Sequence, residues 1–392
     1  EWLYNIPHRP VFDLFGALLF VSGLLISLYR ALPFGNARHK TESAFLLLWL
    51  AAGLFPGFIS VPPASLGHTI VAQPAVYMLP AIAIAAVGEW GGRWVSGGQG
   101  VKRPDASARW AAGGGAVLAV LFLVSSGARD LNDYLAVWPE RGMVRLLYRA
   151  DIRDAAQYLN DHSEISDVAF AGSLAGPWDR QALLVDLARP LSDRWFDPRR
   201  ALVYPSRGGH LILTGFPELA GELQPFLEQT GELVADQGTF QIYSLRHQPV
   251  FTSNGLLGGQ PVRFDNGLLL VHLERLPAGV LTGWQALSPP FGLPAFTLVS
   301  NPPPPGVETR PRLAVFVHWL DASGAYVDGD DGLWVDPYSL QAGDMFLQIH
   351  RLHAPQADAD YQLQLGLYDP VTGDRVSLST GGDRLLVGLT QQ

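Results

Sequence analysis

The sequence has no cysteine and little charge of either sign. The absence of cysteine excludes disulfide bonds and cysteine-ligated metal sites. Only 16% of the 392 residues are charged, whereas 48% are hydrophobic, and both values depart from those of an average soluble protein. Lysine is nearly absent, since Lys40 and Lys102 are the only two. The distribution of these scarce charges is therefore informative.

The charges are divided unevenly along the chain. Residues 1–127 contain eight basic and five acidic side chains and so have a net charge of +3. Since the net charge of the whole chain is −9, residues 128–392 have a net charge of −12. Proteins that bind nucleic acid cluster positive charge, which the acidic part lacks. We therefore expect an apolar, weakly basic first region, an acidic hydrophilic remainder and no nucleic-acid partner.

Four apolar runs approach the roughly 17–25 residues that cross the hydrocarbon core of a bilayer. They could instead be buried helices of a large soluble core, but such helices usually keep a polar stripe, and these runs are apolar on all faces. We expect a transmembrane region over residues 1–130. The predicted spans cover about residues 11–29, 43–61, 70–88 and 110–126.

The loops between these runs predict an orientation. Segments 30–42 and 89–109 hold arginine and lysine, whereas loop 62–69 holds neither. Basic loops favour the cytoplasmic side, so we expect a multi-pass protein of the plasma membrane with the residues after about 127 outside the cytoplasm. The chain begins at Glu1 without a visible signal peptide. We interpret it as a piece of a longer protein whose front is missing.

One outer segment interrupts the apolar sequence with polar residues. Residues 58–79, FISVPPASLGHTIVAQPAVYML, contain Pro62-Pro63 and His68 between two predicted spans. His68 can be read as an interfacial polar residue on a short loop. It can also be read as a hydrogen-bond donor or cation for a lipid phosphate, because imidazole titrates near neutral pH.

A small α/β domain is predicted over residues 131–248. Helical periodicity and short apolar runs alternate there, which is typical of an α/β layer. No dinucleotide fingerprint, phosphate loop or nucleophile elbow occurs. The charged stretch SDRWFDPRR is read as a solvated or interdomain surface, with a ligand contact as the alternative. Helices are expected at 152–162, 178–188 and 217–231, and strands at 168–172, 201–205, 210–215 and 240–245.

An all-β sandwich is predicted over residues 249–392. Period-2 alternation broken by turn sequences such as DNG and DASG indicates paired strands. NPPPPG at 301–306 is expected to be a stiff connector. Strands are expected within 262–276, 295–301, 313–332, 345–353 and 360–378.

Two groups of side chains in this sandwich could suggest a metal. Several aspartates near YVDGDDGLWVD offer oxygen ligands for calcium, but the spacing departs from the EF-hand loop and an acidic hairpin turn fits better. His350 and His353 lie three apart, which places them on opposite faces of a strand. We expect no metal site in this chain. The aspartates are Asp321, Asp328, Asp330, Asp331 and Asp336.

The sequence from 60 to 79 resembles an outer-face motif of the polytopic GT-C glycosyltransferases. These enzymes include protein O-mannosyltransferases and aminoarabinose transferases. Pro74, Ala75 and Tyr77 match that motif, whereas His68 stands where the family often has arginine and Val71 replaces its glycine. Imidazole lacks the bidentate fork of arginine, so His68 cannot bind a phosphate through two parallel hydrogen bonds as arginine does.

Two segments of the predicted sandwich resemble the domain that is often appended to these enzymes. The first is FVHWLDASG, and the second is YQLQLGLYDPVTGDR. Together with the membrane motif, the resemblance extends over most of the chain. The matching residues are Phe316, Val317, His318, Asp321 and Gly324 in the first, and Tyr361, Gly366, Tyr368, Asp369, Thr372, Gly373 and Arg375 in the second.

The resemblance implies sugar transfer from a polyprenyl-phosphate donor to an acceptor, which it does not identify, at the outer leaflet. His68, Gln73 and Tyr77 are the implied substrate-binding residues. The acidic catalytic residue of the family would lie upstream, so we expect no catalytic residue and no bound cofactor in this chain, although a divalent metal could serve the full-length enzyme.

The alternative is a non-enzymatic, membrane-anchored surface protein that displays a glycan- or protein-binding β-sandwich. A transporter is disfavoured because repeated halves and intramembrane charges are not visible.

Overall fold

The computed structural model describes most of the chain and divides it into two units, residues 1–148 and 149–392. The predicted strand at 295–301, the connector at 301–306 and the Pro62-Pro63 pair lie outside the described residues. The described residues are 6, 9–32, 39–59, 66–95, 107–172, 178–215, 217–251, 255–258, 260–290, 293, 312–353 and 361–389.

Helices make up the first unit. In its described part, four helices are long and apolar enough to cross a membrane. Each predicted span falls on one of them, but the third span was expected to begin at residue 70, where the backbone is still in a 3₁₀ segment, Leu66–Ala72. The elements are α1 (Leu14–Ala31), α2 (Lys40–Ile59), the 3₁₀ segment, α3 (Gln73–Val95), α4 (Ser107–Asn132), a π turn (Asp133–Val137) and α5 (Gly142–Leu147).

Small residues bring these helices together. Gly23 of α1 lies against the backbone of Leu79 in α3, and Gly53 of α2 lies against Ala72 of the 3₁₀ segment. Close approach at glycine is typical of helices that associate within lipid. The large apolar side chains point the other way: Leu14 is 79% exposed and Phe58 is 78% exposed. The unit therefore presents its apolar residues outward.

The second unit begins with a mixed sheet covered by helices. Its strand order is β2-β1-β4-β6-β5, with β1 parallel to both of its neighbours and the other pairs antiparallel. The predicted apolar face of α6, formed by Ile152, Ala155, Ala156 and Leu159, is buried as expected. The elements are α6 (Ala150–Asp161), β1 (Asp167–Ala171), α7 (Trp178–Asp186), β2 (Ser192–Phe196), β4 (Gly209–Thr214), α8 (Gln224–Thr230), β5 (Gly231–Asp236) and β6 (Phe240–Leu245).

Two antiparallel sheets complete the second unit. One has the order β3-β12-β9-β8-β7 and the other β11-β10-β13-β14. The expectation of apolar helices followed by β-sheet structure is thus confirmed at the level of fold class. The strands are β3 (Ala201–Tyr204), β7 (Val262–Arg263), β8 (Leu268–Leu276), β9 (Gly279–Ala286), β10 (Ala314–Leu320), β11 (Tyr326–Gly332), β12 (Met345–His350), β13 (Tyr361–Tyr368) and β14 (Leu385–Leu389).

One core joins all three sheets. Side chains alternate along β1, so that Val168 and Phe170 pack under the helices while Ala169 and Ala171 enter the core shared with the antiparallel sheets. Strand β3 pairs with β12, although its position in the chain had suggested a place in the α/β layer. The region predicted as α/β therefore supplies a strand to the β-sandwich.

Several elements differ from the predictions. The helix expected at 217–231 covers only Gln224–Thr230, because residues 217–223 form loop and turn structure, with the Ala220 amide bonded to the Pro198 carbonyl, and β5 begins at Gly231. The first five residues of the charged stretch that was read as a solvated or interdomain surface form strand β2, Ser192–Phe196, whose burial is possible because its charges have partners. Strands β9 and β14 were not predicted at all.

Candidate functional site

The segment that carries the predicted substrate-binding residues lies between α2 and α3. His68 belongs to the 3₁₀ segment, and Gln73 is the first residue of α3. Tyr77 follows four residues later, on the same side of the helix as Gln73. Both are exposed, and the ring of Tyr77 meets that of Phe12 edge-on at 5.3 Å. The structure thus places Gln73 and Tyr77 side by side next to the segment that holds His68.

The 3₁₀ segment is held against α2 by two contacts. A Cβ atom at Gly53 would lie 2.7 Å from the Cα of Ala72, so only glycine allows this approach. One turn away, the indole Nε1 of Trp49 donates a hydrogen bond of 2.9 Å to the carbonyl oxygen of Val71. A carbonyl outside an α-helix needs such a partner where water is absent. Trp49 and Gly53 therefore support an irregular backbone within an apolar unit.

A group of charges surrounds the start of α1. Asp13 caps this helix: one carboxylate oxygen accepts from the Gly16 amide at 2.7 Å, and the other accepts from the Ser125 hydroxyl at 2.8 Å. Arg9 forms ion pairs with Asp130 and Asp133. The sequence did not predict this group, because Arg9 and Asp13 lie more than 100 residues before their partners Asp130, Asp133 and Ser125. Both oxygens of Asp13 are engaged, one in capping α1 and the other with Ser125 of α4.

A second cluster lies on the outer face of the four-stranded sheet. The imidazole Nε2 of His318 lies 2.8 Å from Oδ1 of Asp331, and the Tyr368 hydroxyl donates to Oδ2 of Asp331 at 3.0 Å. Tyr326 meets the His318 ring edge-on and is itself 62% exposed. We call His318, Asp331, Tyr368 and Tyr326 the polar face.

The electrostatics of the polar face favour a charged Asp331. Partial burial works to raise the pKa of Asp331, but the hydrogen bond from His318, the charge of that ring and the hydrogen bond from Tyr368 outweigh it, so the pKa lies below its usual value. An ionised carboxylate, an imidazole and a phenol are groups that bind polar ligands such as sugars. The polar face can therefore offer both donors and acceptors to a ligand.

The two sandwich motifs meet at this face. Gly366 lies under the Phe316 ring, where a Cβ would be 2.4 Å from a ring carbon, and the Arg375 guanidinium lies 4.8 Å over the same ring. Not every motif residue contributes to the face: Asp321 accepts hydrogen bonds within the turn after β10, and Asp369 does the same after β13. The motifs therefore combine surface residues with turn-forming residues.

The aspartates considered for calcium have separate partners. Asp330 pairs with Arg200 at 2.7 Å, Asp328 pairs with His353 at 3.0 Å, and Asp336 accepts from the Tyr338 amide at 3.0 Å. Over the part of the chain that the structure describes, no three His, Asp or Glu side chains are grouped so that they could hold a metal ion.

The remaining charged cluster and the histidine pair have structural contacts. Of the charges in SDRWFDPRR, Asp193 accepts from Arg180, Asp197 from Arg199, and the Arg200 guanidinium lies 4.7 Å over the Trp334 ring. His350 is fully buried, whereas the His353 side chain is almost entirely exposed. These two histidines do not form a common site.

Comparison with known proteins gives no match: no family model, no curated protein and no solved structure is similar to this chain.

Proposed function

We propose that the chain spans the plasma membrane four times, holds its second unit outside the cytoplasm and forms the C-terminal part of a glycosyltransferase. In this proposal the complete enzyme moves a sugar from a polyprenyl-phosphate donor to an acceptor at the outer leaflet. The observation that carries it is the 3₁₀ segment that Trp49 and Gly53 hold between two apolar helices. Within a bilayer, irregular backbone is tolerated only where it is buried in protein or lines a cavity, and broken helices form the binding sites of many membrane proteins.

The segment offers suitable chemistry for a lipid-linked phosphate. His68 supplies an imidazole, Gln73 an amide and Tyr77 a phenol, and all three can donate a hydrogen bond to phosphate oxygen. The outward apolar surface of the helices would face the polyprenyl chain. The proposal assigns these residues to substrate binding, and it places the catalytic acid, and any divalent metal it uses, elsewhere in the complete enzyme.

Photo-crosslinking tests this proposal. Membranes containing the full-length protein are irradiated with a polyprenyl phosphate that carries a photoreactive group near its phosphate, and the crosslinked peptide is identified by mass spectrometry. We expect labelling within residues 66–77, at least fivefold weaker in His68→Ala and unchanged in His247→Ala, a change at an exposed residue of the second unit. Labelling that is absent, or equal in all variants, would contradict the proposal.

The polar face supports a second candidate, a membrane-anchored surface protein whose sandwich binds glycans. Asp331 there holds both His318 and Tyr368 at hydrogen-bonding distance, on a face that also exposes Tyr326. A glycan array probed with the detergent-solubilised chain distinguishes the two candidates. Binding that is lost in His318→Ala, together with no polyprenyl crosslink, would favour the display protein over the transferase.

A further inference from the structure

A cleft of about 770 Å³ lies between α1, α2 and α3. Its polar part lies at the end of α1 and the start of α2, whereas its apolar part reaches Trp49, whose indole also bonds to the 3₁₀ segment. One part of its lining is polar and the other apolar. The polar residues are Arg30, His39, Thr41, Glu42 and Ser43, and the apolar residues are Phe45, Leu46, Trp49, Met78, Ala81, Ile82 and Ala85.

The length of this cleft matches one leaflet of a bilayer. From His39 to Trp49 there are ten residues, and an α-helix rises about 1.5 Å per residue, so the lining extends over about 15 Å. The hydrocarbon core of a bilayer is about 30 Å thick, and one leaflet fills about half of it. The whole lining on α2, polar and apolar residues together, is therefore about as long as one leaflet is thick, with its apolar residues at the inner end.

The polar end carries both signs of charge. The Arg30 guanidinium lies 3.7 Å from the Glu89 carboxylate, which is longer than a hydrogen bond, so the two form an ion pair without a direct hydrogen bond. Glu42 is exposed at the same end of the cleft. An arginine fork suits a phosphate, whereas a carboxylate suits an ammonium group. This combination fits a head group that contains a phosphate and a primary amine.

We propose that the cleft binds one phospholipid of the cytoplasmic leaflet with an ethanolamine head group. Arg30 and His39 contact its phosphate, Glu42 contacts its ammonium, and an acyl chain lies along Phe45, Trp49 and Met78. The inference relies on the membrane placement given under Proposed function, because the basic loop that contains these residues then faces the cytoplasm. It is independent of any transferase activity.

Native mass spectrometry of the full chain in detergent tests the inference. The protein is mixed with equal amounts of phosphatidylethanolamine, phosphatidylcholine and phosphatidylglycerol that have the same acyl chains. We expect at least fivefold more of the ethanolamine lipid to be retained. Arg30→Ala should reduce retention of all three lipids, and Glu42→Gln should remove the preference for ethanolamine over choline. Arg246→Ala, at an exposed arginine of the second unit, should change neither.

The outcomes separate this inference from the membrane proposal. Equal retention of the three lipids by the detergent-solubilised protein would contradict the lipid site and leave the membrane placement intact. Unchanged retention in both Arg30→Ala and Glu42→Gln would also contradict it. If the purified chain stayed in solution without detergent, that result would instead contradict the membrane placement itself.

Discussion

Gly23 of α1 touches the backbone of Leu79 in α3 so closely that a Cβ atom at position 23 would lie 1.8 Å from the Leu79 carbonyl oxygen. Leu79 itself is fully buried between α1 and α2. The two helices are therefore positioned by the absence of a side chain. Because α3 begins with Gln73, this contact also fixes the helix that carries two of the predicted substrate-binding residues.

Replacing Gly23 with valine should separate α1 from α3. Forcing a side chain into a well-packed contact costs about 1–3 kcal/mol, and here the obstacle is backbone, which cannot move aside by rotation. We expect a clearly lower thermal unfolding temperature for the detergent-solubilised chain. Gly113→Val in α4 is the matched control, since a Cβ there meets nothing within 4 Å. Equal melting of the two variants would rule out this role for Gly23.

Trp49→Phe should loosen the 3₁₀ segment. The change removes the donor to the Val71 carbonyl, and a carbonyl without a partner is unfavourable where the lipid of the proposed bilayer excludes water. We expect faster proteolysis or faster hydrogen exchange confined to residues 66–72. Trp90→Phe, at a 59% exposed indole of α3, should leave exchange in that segment unchanged. Identical exchange in the two variants would show that the hydrogen bond does not hold the segment.

Arg194→Met should destabilise the second unit strongly. Arg194 is 1% exposed and its fork binds the fully buried Asp344 at 2.8 and 3.1 Å, with a further contact to Asp167. Removing one partner of a buried ion pair costs about 3–5 kcal/mol, because the remaining charge is left uncompensated. Denaturant unfolding of the full chain, followed by circular dichroism, measures the loss.

Arg246→Met provides the control for that change. Arg246 pairs with Glu232 at 2.6 Å, but both side chains are about 60% exposed, and solvent screening makes such a pair contribute little. We expect no measurable shift in its unfolding midpoint. A similar loss in both variants would mean that burial does not determine the contribution of the Arg194 pair.

The second unit should lose stability as the pH falls from about 6.5 to 4. Burial lowers the pKa of His350 from 6.5 to about 4, so between these values the unfolded chain binds a proton that the folded chain excludes, and stability decreases as the pH falls. The imidazole Nε2 of His350 lies 2.8 Å from the Gln348 amide, and Nδ1 lies 2.9 Å from the Asp330 carbonyl oxygen. The charged groups that face the ring are Arg200, Asp330 and Asp331.

Unfolding curves of His350→Gln measured across this range test the assignment. The variant should show a smaller dependence on pH between 6.5 and 4, whereas His247→Gln, at an exposed histidine, should keep the dependence of the unchanged protein. Asp331, with its lowered pKa, adds a further loss only at lower pH. A His350→Gln curve parallel to that of the unchanged protein would assign the dependence to other groups.

Features that depend on local sequence were predicted well. Each apolar run became a long helix, because run length and polarity are properties of neighbouring residues. The buried face of α6 followed from its 3.6-residue period. The 3₁₀ segment was not predicted, because its stability comes from contacts with Trp49 and Gly53, which precede it by some twenty residues.

Features that depend on distant pairing were predicted poorly. Strand β2 looked like a charged surface because the partner that neutralises Arg194, Asp344, lies 150 residues further along the chain. Strand β3 was assigned to the wrong layer because its partner β12 is equally remote. The polar face shows the same limit: His318 and Tyr368 were noted as motif residues, but only the fold brings them both to Asp331.

Labelling of introduced cysteines tests the membrane arrangement most directly, because the chain has no cysteine of its own. Single cysteines at Ser65, at Gly97 and at the exposed Ala322 are treated in intact cells with a thiol reagent that cannot cross the membrane. The account predicts that the cysteines at positions 65 and 322 react, whereas the one at position 97 reacts only after the cells are opened. Labelling of position 97 alone in intact cells would contradict it.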